Sequence, residues 1–283
     1  MAESKEISRQ SMSVFTGHID MPTNGLKTFV IRLLRKRNRR YNNRISPVDN
    51  LYELHRHQRP VKKWSSGTTW PKIIKLKYND MMEFINPSIS TYVDVGCGDG
   101  CKAIAIAQLI GAAQTVCMDV VDYRSSNKAE FVLSENVRTI VDVAPDFCTL
   151  LMVLHHMAFD GFDNHVDRIC AFIQALSDSG CQQVLVREHN VTDEESLAAV
   201  ILSHMTYEAI ETNPMRKDDF VTWVDAYASN HEGWYMSQAD LIAVFESCGW
   251  EVLRVSDHPG SNPEFIYNML LHRKKEALSD NQN

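Results

Sequence analysis

Over residues 91–272, short apolar and β-branched runs alternate with segments whose apolar positions recur every three or four residues. Runs of the first kind suit strands covered on both faces, and segments of the second kind suit helices that bury one stripe. The pattern predicts strands over 91–95, 115–120, 131–133, 149–154, 183–187, 250–255 and 265–272. It predicts helices over 102–110 with Gly111 as the stop, over 166–176 ending near Gly180, from 192 to about 211, and from 237 to Gly249. Thr192-x-x-Glu195 and Ser237-x-x-Asp240 read as capping boxes at the starts of the last two. Strands alternating with helices predict an α/β fold with a parallel sheet and an antiparallel pairing at its C-terminal end.

The earlier part of the chain breaks this pattern. Residues 1–25 are polar, with Pro22 and Gly25 near the end, and read as a flexible lead-in. Residues 26–50 set Leu26, Phe29, Val30, Leu33 and Leu34 beside Arg35, Lys36, Arg37, Arg39 and Arg40, which predicts a short basic helix running into a basic loop before Pro47. Residues 51–87 interleave Tyr52, Trp64, Trp70 and Tyr78 with Arg56, Arg59, Lys62, Lys63, Lys72, Lys75 and Lys77, with a helix over about 71–85 before Pro87. The expected organisation is a lead-in (1–25), a basic and aromatic extension (26–79), a catalytic domain (80–273) and a polar tail (274–283).

Charge sharpens that division. The 283 residues carry a formal net charge of −7, with ordinary globular proportions of hydrophobic (44%) and charged (23%) residues. Between Lys27 and Lys77 stand fifteen Lys and Arg against two acids, Asp49 and Glu53, so this segment carries +13 and the rest of the chain −20. An asymmetry of this kind points to a polyanionic partner and rules out a uniformly acidic chain that avoids one. The structural alternatives are a solvated amphipathic face, a membrane-surface contact or a nuclear-targeting stretch. No apolar run reaches the roughly 18 residues of a membrane span, and residues 1–10 lack the apolar core of a signal peptide. The seven cysteines are scattered without a Cys-x-x-Cys pair, which fits a reduced intracellular compartment. Met1 fits an independently translated chain, with a piece of a longer polyprotein as the alternative.

The densest chemistry lies where the first strand meets the first helix, at Tyr92-Val-Asp-Val-Gly-Cys-Gly-Asp-Gly100. Gly96, Gly98 and Gly100 let backbone approach a ligand at the carboxyl end of a strand. A dinucleotide fingerprint would place Gly or Ala at position 101, where this chain has Cys101. Asp94 precedes the glycines by two, and Asp119 ends the second strand, where an acid can accept both hydroxyls of a ribose. This pattern resembles motif I of the class I S-adenosylmethionine (SAM)-dependent methyltransferases. The resemblance covers residues 80–273 and implies a Rossmann-like sheet of seven strands in the order 3-2-1-4-5-7-6, SAM as cofactor, and Asp94, Gly96, Cys97, Gly98, Gly100, Asp119, Glu135 and Leu154 at the cofactor site. The adenine contact is expected near Ser134 or Glu135.

Two further clusters fall at strand ends: Leu154-His155-His156-Met157 and Arg187-Glu188-His189-Asn190. Both resemble methyltransferases of large viruses and of some RNA-virus replication proteins, in which Arg-Glu-His-Asp is the more usual form; Asn190 departs from it. That resemblance implies His155, His156, Glu188 and His189 as catalytic residues. Beside it, the basic segment offers Arg35, Lys36, Arg59, Lys62, Lys63 and Trp64, with Tyr267, for RNA, since cations with interleaved aromatics track phosphates and stack on bases. If residues 154–156 continue the strand, adjacent His155 and His156 point to opposite faces and no shared metal is expected. His156 also reads as a buried, hydrogen-bonded histidine at a strand end. A ribose 2′-O enzyme of the Lys-Asp-Lys-Glu type would need an acid where His155 and His156 stand, which leaves Lys72, Lys75 or Glu188 for that chemistry. The expected activity is methyl transfer to RNA, at guanine N7 or a ribose 2′-O of a viral mRNA cap, in the host cytoplasm, beside viral replication or capping proteins. A small-molecule methyltransferase, with Trp223, Tyr227, Trp234 and Tyr235 as a lid, and a non-catalytic binding module are the alternatives.

Overall fold

The computed structural model describes residues 14–16, 27, 30–31, 40–56, 70–124, 128–136, 138–157, 165–193, 196–197, 200–201, 204, 216–220, 222–223, 234–257 and 266–274. Of the expected RNA contacts, Arg35, Lys36, Arg59, Lys62, Lys63 and Trp64 lie outside these residues. Helices α1 (Pro47–Arg56), α2 (Trp70–Met82), α3 (Cys101–Ile110), α4 (Thr139–Val143), α5 (His165–Asp178) and α6 (Gln238–Ser247) accompany strands β1 (Thr91–Val95), β2 (Gln114–Asp119), β3 (Glu130–Leu133), β4 (Phe147–Leu151), β5 (Gln183–His189), β6 (Trp250–Asp257) and β7 (Ile266–Arg273). Two compact units emerge. One holds the described residues of Ser66–Glu188 and Gln238–Asn283, the other those of Ser13–Ser65 and His189–Ser237.

In the first unit the strands form one mixed sheet in the order β3-β2-β1-β4-β5-β7-β6. β1 pairs in parallel with β2, from Thr91↔Gln114 to Val95↔Met118, and with β4 on its other side. β6 and β7 pair antiparallel, with a register shift between Val252 and Arg254. The central strands are buried along their length: all five residues of β4 and all seven of β5. Continuous burial explains why they read as apolar runs instead of alternating ones. On one face Ile74, Tyr78 and Met81 of α2 and Ala103, Ile106 and Ala107 of α3 pack over Tyr92, Cys117, Phe147, Leu185 and Leu270. Val93 and Val95 alternate to the opposite face. The amino-terminal edge is tied by Asp146, whose Oδ2 accepts the N–H groups of Ser90 (2.8 Å) and Thr91 (2.9 Å).

Boundaries shift where a side chain or a dihedral intervenes. The fourth strand ends at Leu151, not 154, because Met152 adopts φ 65° and the chain turns into a 3-10 helix over Leu154–His156. That overturns the opposed placement of His155 and His156: their rings lie 4.0 Å apart between centroids. Gly111 stops α3 with φ 69° as expected from its position, donating to the Ala107 carbonyl.

In the second unit α1 was not predicted, although its start is written in Ser46-Pro47-x-Asp49: Ser46 Oγ accepts the Asp49 N–H at 3.0 Å and Pro47 takes the first helical position. Asp49 pairs with Lys217 at 2.7 Å, and the Tyr52 ring lies 5.4 Å from that of Phe220. The capping box expected at Thr192 sits one residue later. Ser196 N–H donates to Asp193 Oδ1 (2.8 Å), and Asp193 N–H donates to Ser196 Oγ (3.0 Å). Val14–Thr16 and Trp234–Met236 form an antiparallel ribbon. Among the described residues no helix is long and apolar enough to cross a membrane.

Candidate functional site

Every parallel strand of the sheet delivers its carboxyl end to one edge, and there a cavity of about 420 Å³ opens. Its walls come from the glycine loop (Gly96, Gly98), the end of β2 (Met118 to Val121), the turn after β3 (Ser134, Glu135, Asn136), the turn after β4 (Met152, Val153, His156) and α5 (Arg168, Phe172). The size falls within the range of small-molecule sites, and the mixture of apolar wall and few polar groups is typical of them.

The loop is fixed by its own backbone. Gly96 N–H and Cys97 N–H both donate to the Met118 carbonyl, at 2.8 and 3.3 Å, and Gly98 N–H donates to Asp119 Oδ2 at 2.8 Å. Gly96 has φ 67°, and a Cβ placed on it would stand 2.3 Å from Val153 Cγ2. No side chain fits there, so the residue after β1 must be glycine. Gly98 has φ 56° with open space beside it, which leaves its backbone bare toward the cavity. Asp119 Oδ1 accepts the Val120 N–H at 2.8 Å. Oδ1 is also 3.4 Å from the Val121 N–H and Oδ2 is 4.0 Å from Cys97 Sγ, both longer contacts, so the carboxylate is an acceptor that reaches the cavity wall.

Beneath the loop lies a buried polar chain. Thr149 Oγ1 donates to Asp94 Oδ1 at 2.5 Å and sits 2.7 Å from the Tyr92 hydroxyl, so the tyrosine donates in turn to Thr149. Asp94 is 2% exposed, and burial pushes its carboxyl up to about 6, against the opposing pull of the Thr149 hydrogen bond and of Lys102. Nearby, burial together with Arg187 and Lys102 draws Lys77 down to about 8. Arg187 is itself buried and donates to Asn268 Oδ1 at 3.0 Å.

The turn after β4 is held by one residue of β5. Glu188 accepts the Leu154 N–H at Oε2 (3.1 Å) and meets His155 Nδ1 at Oε1 (2.7 Å), with both side chains buried. This pair leaves His155 behind the cavity wall and turns His156 into it. His156 is exposed, not buried as its strand-end position suggests. Although part of its ring is open to solvent, the surrounding protein still desolvates it and holds its imidazole below the ordinary value.

The expected site residues therefore separate. Gly96, Gly98, Asp119, Glu135 and His156 line the cavity, whereas Asp94, Cys97, Gly100, Leu154, His155 and Glu188 are not among its lining residues. Gly100 caps α3 with φ 75°, and Cys97 is buried with its Sγ 4.0 Å from Asp119 Oδ2. His189 belongs to the second unit, where its Nε2 lies 2.6 Å from His204 Nε2. Tyr267, expected at the substrate, is 1% exposed within β7. The sequence reading missed Met118, the last residue but one of β2, then Val120, Val121, Tyr123, Asn136, Met152 and Val153, which follow strand ends, and Arg168 with Phe172, whose i, i+4 spacing places them on one helix face.

No family model and no curated protein matches the chain. Among solved structures it is similar to a SAM-dependent methyltransferase from Methanosarcina mazei (13% identity, TM-score 0.48, covering 70% of this chain and 99% of that one). It is also similar to human N-acetylserotonin methyltransferase in complex with SAM (13%, 0.44, 81% and 57%) and to the pyocyanin biosynthetic protein PhzM (17%, 0.44, 71% and 56%). The chain thus spans little more than half the length of the last two.

Two outcomes follow from this geometry. Gly96→Ala should destabilise the fold by about 2 kcal/mol more than Gly98→Ala in denaturant unfolding, because both carry the cost of positive φ but only the first drives a methyl into Val153. Asp94 binds its proton more tightly folded than unfolded, since its carboxyl rises from 3.8 to about 6. Between these values the native state holds more protons, so stability falls as pH rises through them. Asp94→Asn should abolish that component. Relative to wild type, the variant should gain up to about 3 kcal/mol between pH 4 and pH 7; a pH-independent difference would refute the assignment.

Proposed function

We propose that this chain is a SAM-dependent methyltransferase whose acceptor is RNA, with the mRNA cap as the favoured target. The observation that carries the cofactor reading is the Asp119 carboxylate, held in the cavity by Gly98 N–H beside a glycine that tolerates no Cβ. In this reading Asp119 takes the ribose hydroxyls, Glu135 and Asn136 face the base, and Gly96 to Gly98 admit the amino-acid end. SAM, when bound, supplies an activated methyl group on a sulfonium.

What the protein adds is position. Holding an acceptor in line with the methyl group supplies much of the rate, and no covalent nucleophile is needed. A guanine N7 acceptor needs no base. A ribose hydroxyl would hand its proton to His156, whose desolvated imidazole is neutral at pH 7. Glu188 and His155 act through that residue by fixing the turn that presents it. The RNA reading rests on the +13 charge of residues 27–77, where Lys27, Arg40, Arg44 and Lys75 are exposed.

Asp119→Ala should weaken SAM binding at least about tenfold by calorimetry and also lower the melting temperature, since it removes the acceptor of the Gly98 and Val120 N–H groups, so binding is compared at a temperature where the variant is folded. Labelled SAM should pass its methyl to capped RNA and not to uncapped RNA. Unchanged binding in the variant would remove the cofactor assignment. Binding without transfer to either RNA would remove the acceptor and favour a small molecule.

A further inference from the structure

Helix α5 has two working faces. Arg168 and Phe172 line the cavity, while Cys170, turned about 200° from Arg168 around the helix, faces the other way. On that reverse side Ser177, two turns beyond Cys170, donates through Oγ to the Cys248 carbonyl at 3.3 Å and accepts from Trp250 Nε1 at 2.9 Å. Cys248 follows the last turn of α6, and its Sγ lies 4.0 Å from the Cys170 carbonyl and 3.7 Å from Ser247 Oγ. Neither cysteine is in a disulfide, and both are half-buried.

We propose that Cys170 and Cys248 form a peroxide-oxidisable dithiol, a modification site that closes to a disulfide between α5 and the end of α6. The chemistry of the seven cysteines singles out this pair. The Cys170 thiol side chain, helped by the Ser247 hydroxyl, draws the Cys248 thiol down to about 7 against the effect of burial. Burial instead pushes the Cys148 and Cys181 thiols up, the latter to about 12, and contact with Cys117 raises Cys97. A thiolate is the nucleophile, so oxidation begins at Cys248.

The Cys248 thiolate attacks one oxygen of hydrogen peroxide and breaks the O–O bond, giving a sulfenic acid and a hydroxide that leaves as water after taking a proton. The Cys170 sulfur then attacks the Cys248 sulfur, loses its proton and expels the sulfenic oxygen as a second water. Two thiols lose two electrons and one peroxide is reduced to two waters. The bond would link positions 78 apart in the chain and pin the helix whose opposite face walls the cavity.

Treat the full chain with graded hydrogen peroxide, then alkylate under denaturing conditions and map peptides without reduction. The expected result is loss of two hydrogen atoms from the intact mass, a single cross-linked pair containing Cys170 and Cys248, and a melting temperature raised by about 5 °C. Cys170→Ser should instead leave a sulfenic acid on Cys248 that dimedone traps, and Cys248→Ser should abolish both the cross-link and the thermal shift. Oxidation of Cys101 while Cys170 and Cys248 remain free thiols would overturn the proposal. So would a Cys170→Ser protein, folded by circular dichroism, whose Cys248 resists dimedone. Neither outcome depends on whether the cavity binds SAM.

Discussion

The site depends on one backbone acceptor. The Met118 carbonyl at the end of β2 receives the N–H groups of Gly96 and Cys97, and this double contact bends the chain leaving β1 back across the sheet edge. The bend requires φ 67° at Gly96 and puts its α-carbon against Val153, so the loop, the β4 turn and the β2 terminus fix one another. Gly98 is then delivered to Asp119, whose carboxylate finishes the contact. A ligand meets a surface that is already set, which lowers the ordering cost of binding.

Beneath this surface the protein buries charge. Asp94, Arg187 and the half-buried Lys77 lie under or beside the loop, with Thr149 and Tyr92 supplying hydrogen bonds. Burial of this kind costs stability unless each group is paired, and the raised Asp94 carboxyl is the visible cost. The corresponding tie on the other side of β1 is Glu188, which reaches from β5 to hold Leu154 and His155 and so determines which histidine faces the cavity. The arrangement is a set of short links between adjacent strand ends. Each link is local in space but 21 to 57 residues long in sequence.

Much of the fold was legible because apolar runs and glycine stops are written locally. β1 spans its predicted residues, and Gly111 ends α3 where the sequence placed it. Asp119, Ser134 and Glu135, singled out by their strand ends together with the motif I resemblance, line the cavity. The failures share a cause: each turns on a dihedral or a tertiary contact that residue type does not announce. Nothing in Met152 signals φ 65°, yet that angle ends β4 early and converts an opposed His155 and His156 into neighbouring rings. Glu188 was singled out by its place in Arg187-Glu188-His189-Asn190, a pattern that does not announce the contacts that fold it inward, a histidine and a backbone N–H. The helix at Pro47 carried its signal in Ser46 and Asp49, and was masked by the surrounding run of cations.

The central claim is that the glycine loop and Asp119 hold the nucleoside of a sulfonium cofactor. The most direct measurement is a crystal structure of the chain with S-adenosylhomocysteine, the product of methyl donation. The account predicts density along the Gly96 to Gly98 backbone, with both ribose hydroxyls on Asp119 and the adenine beside Glu135 and Asn136. A cavity empty at saturating ligand, or a ligand bound away from Asp119, would contradict it.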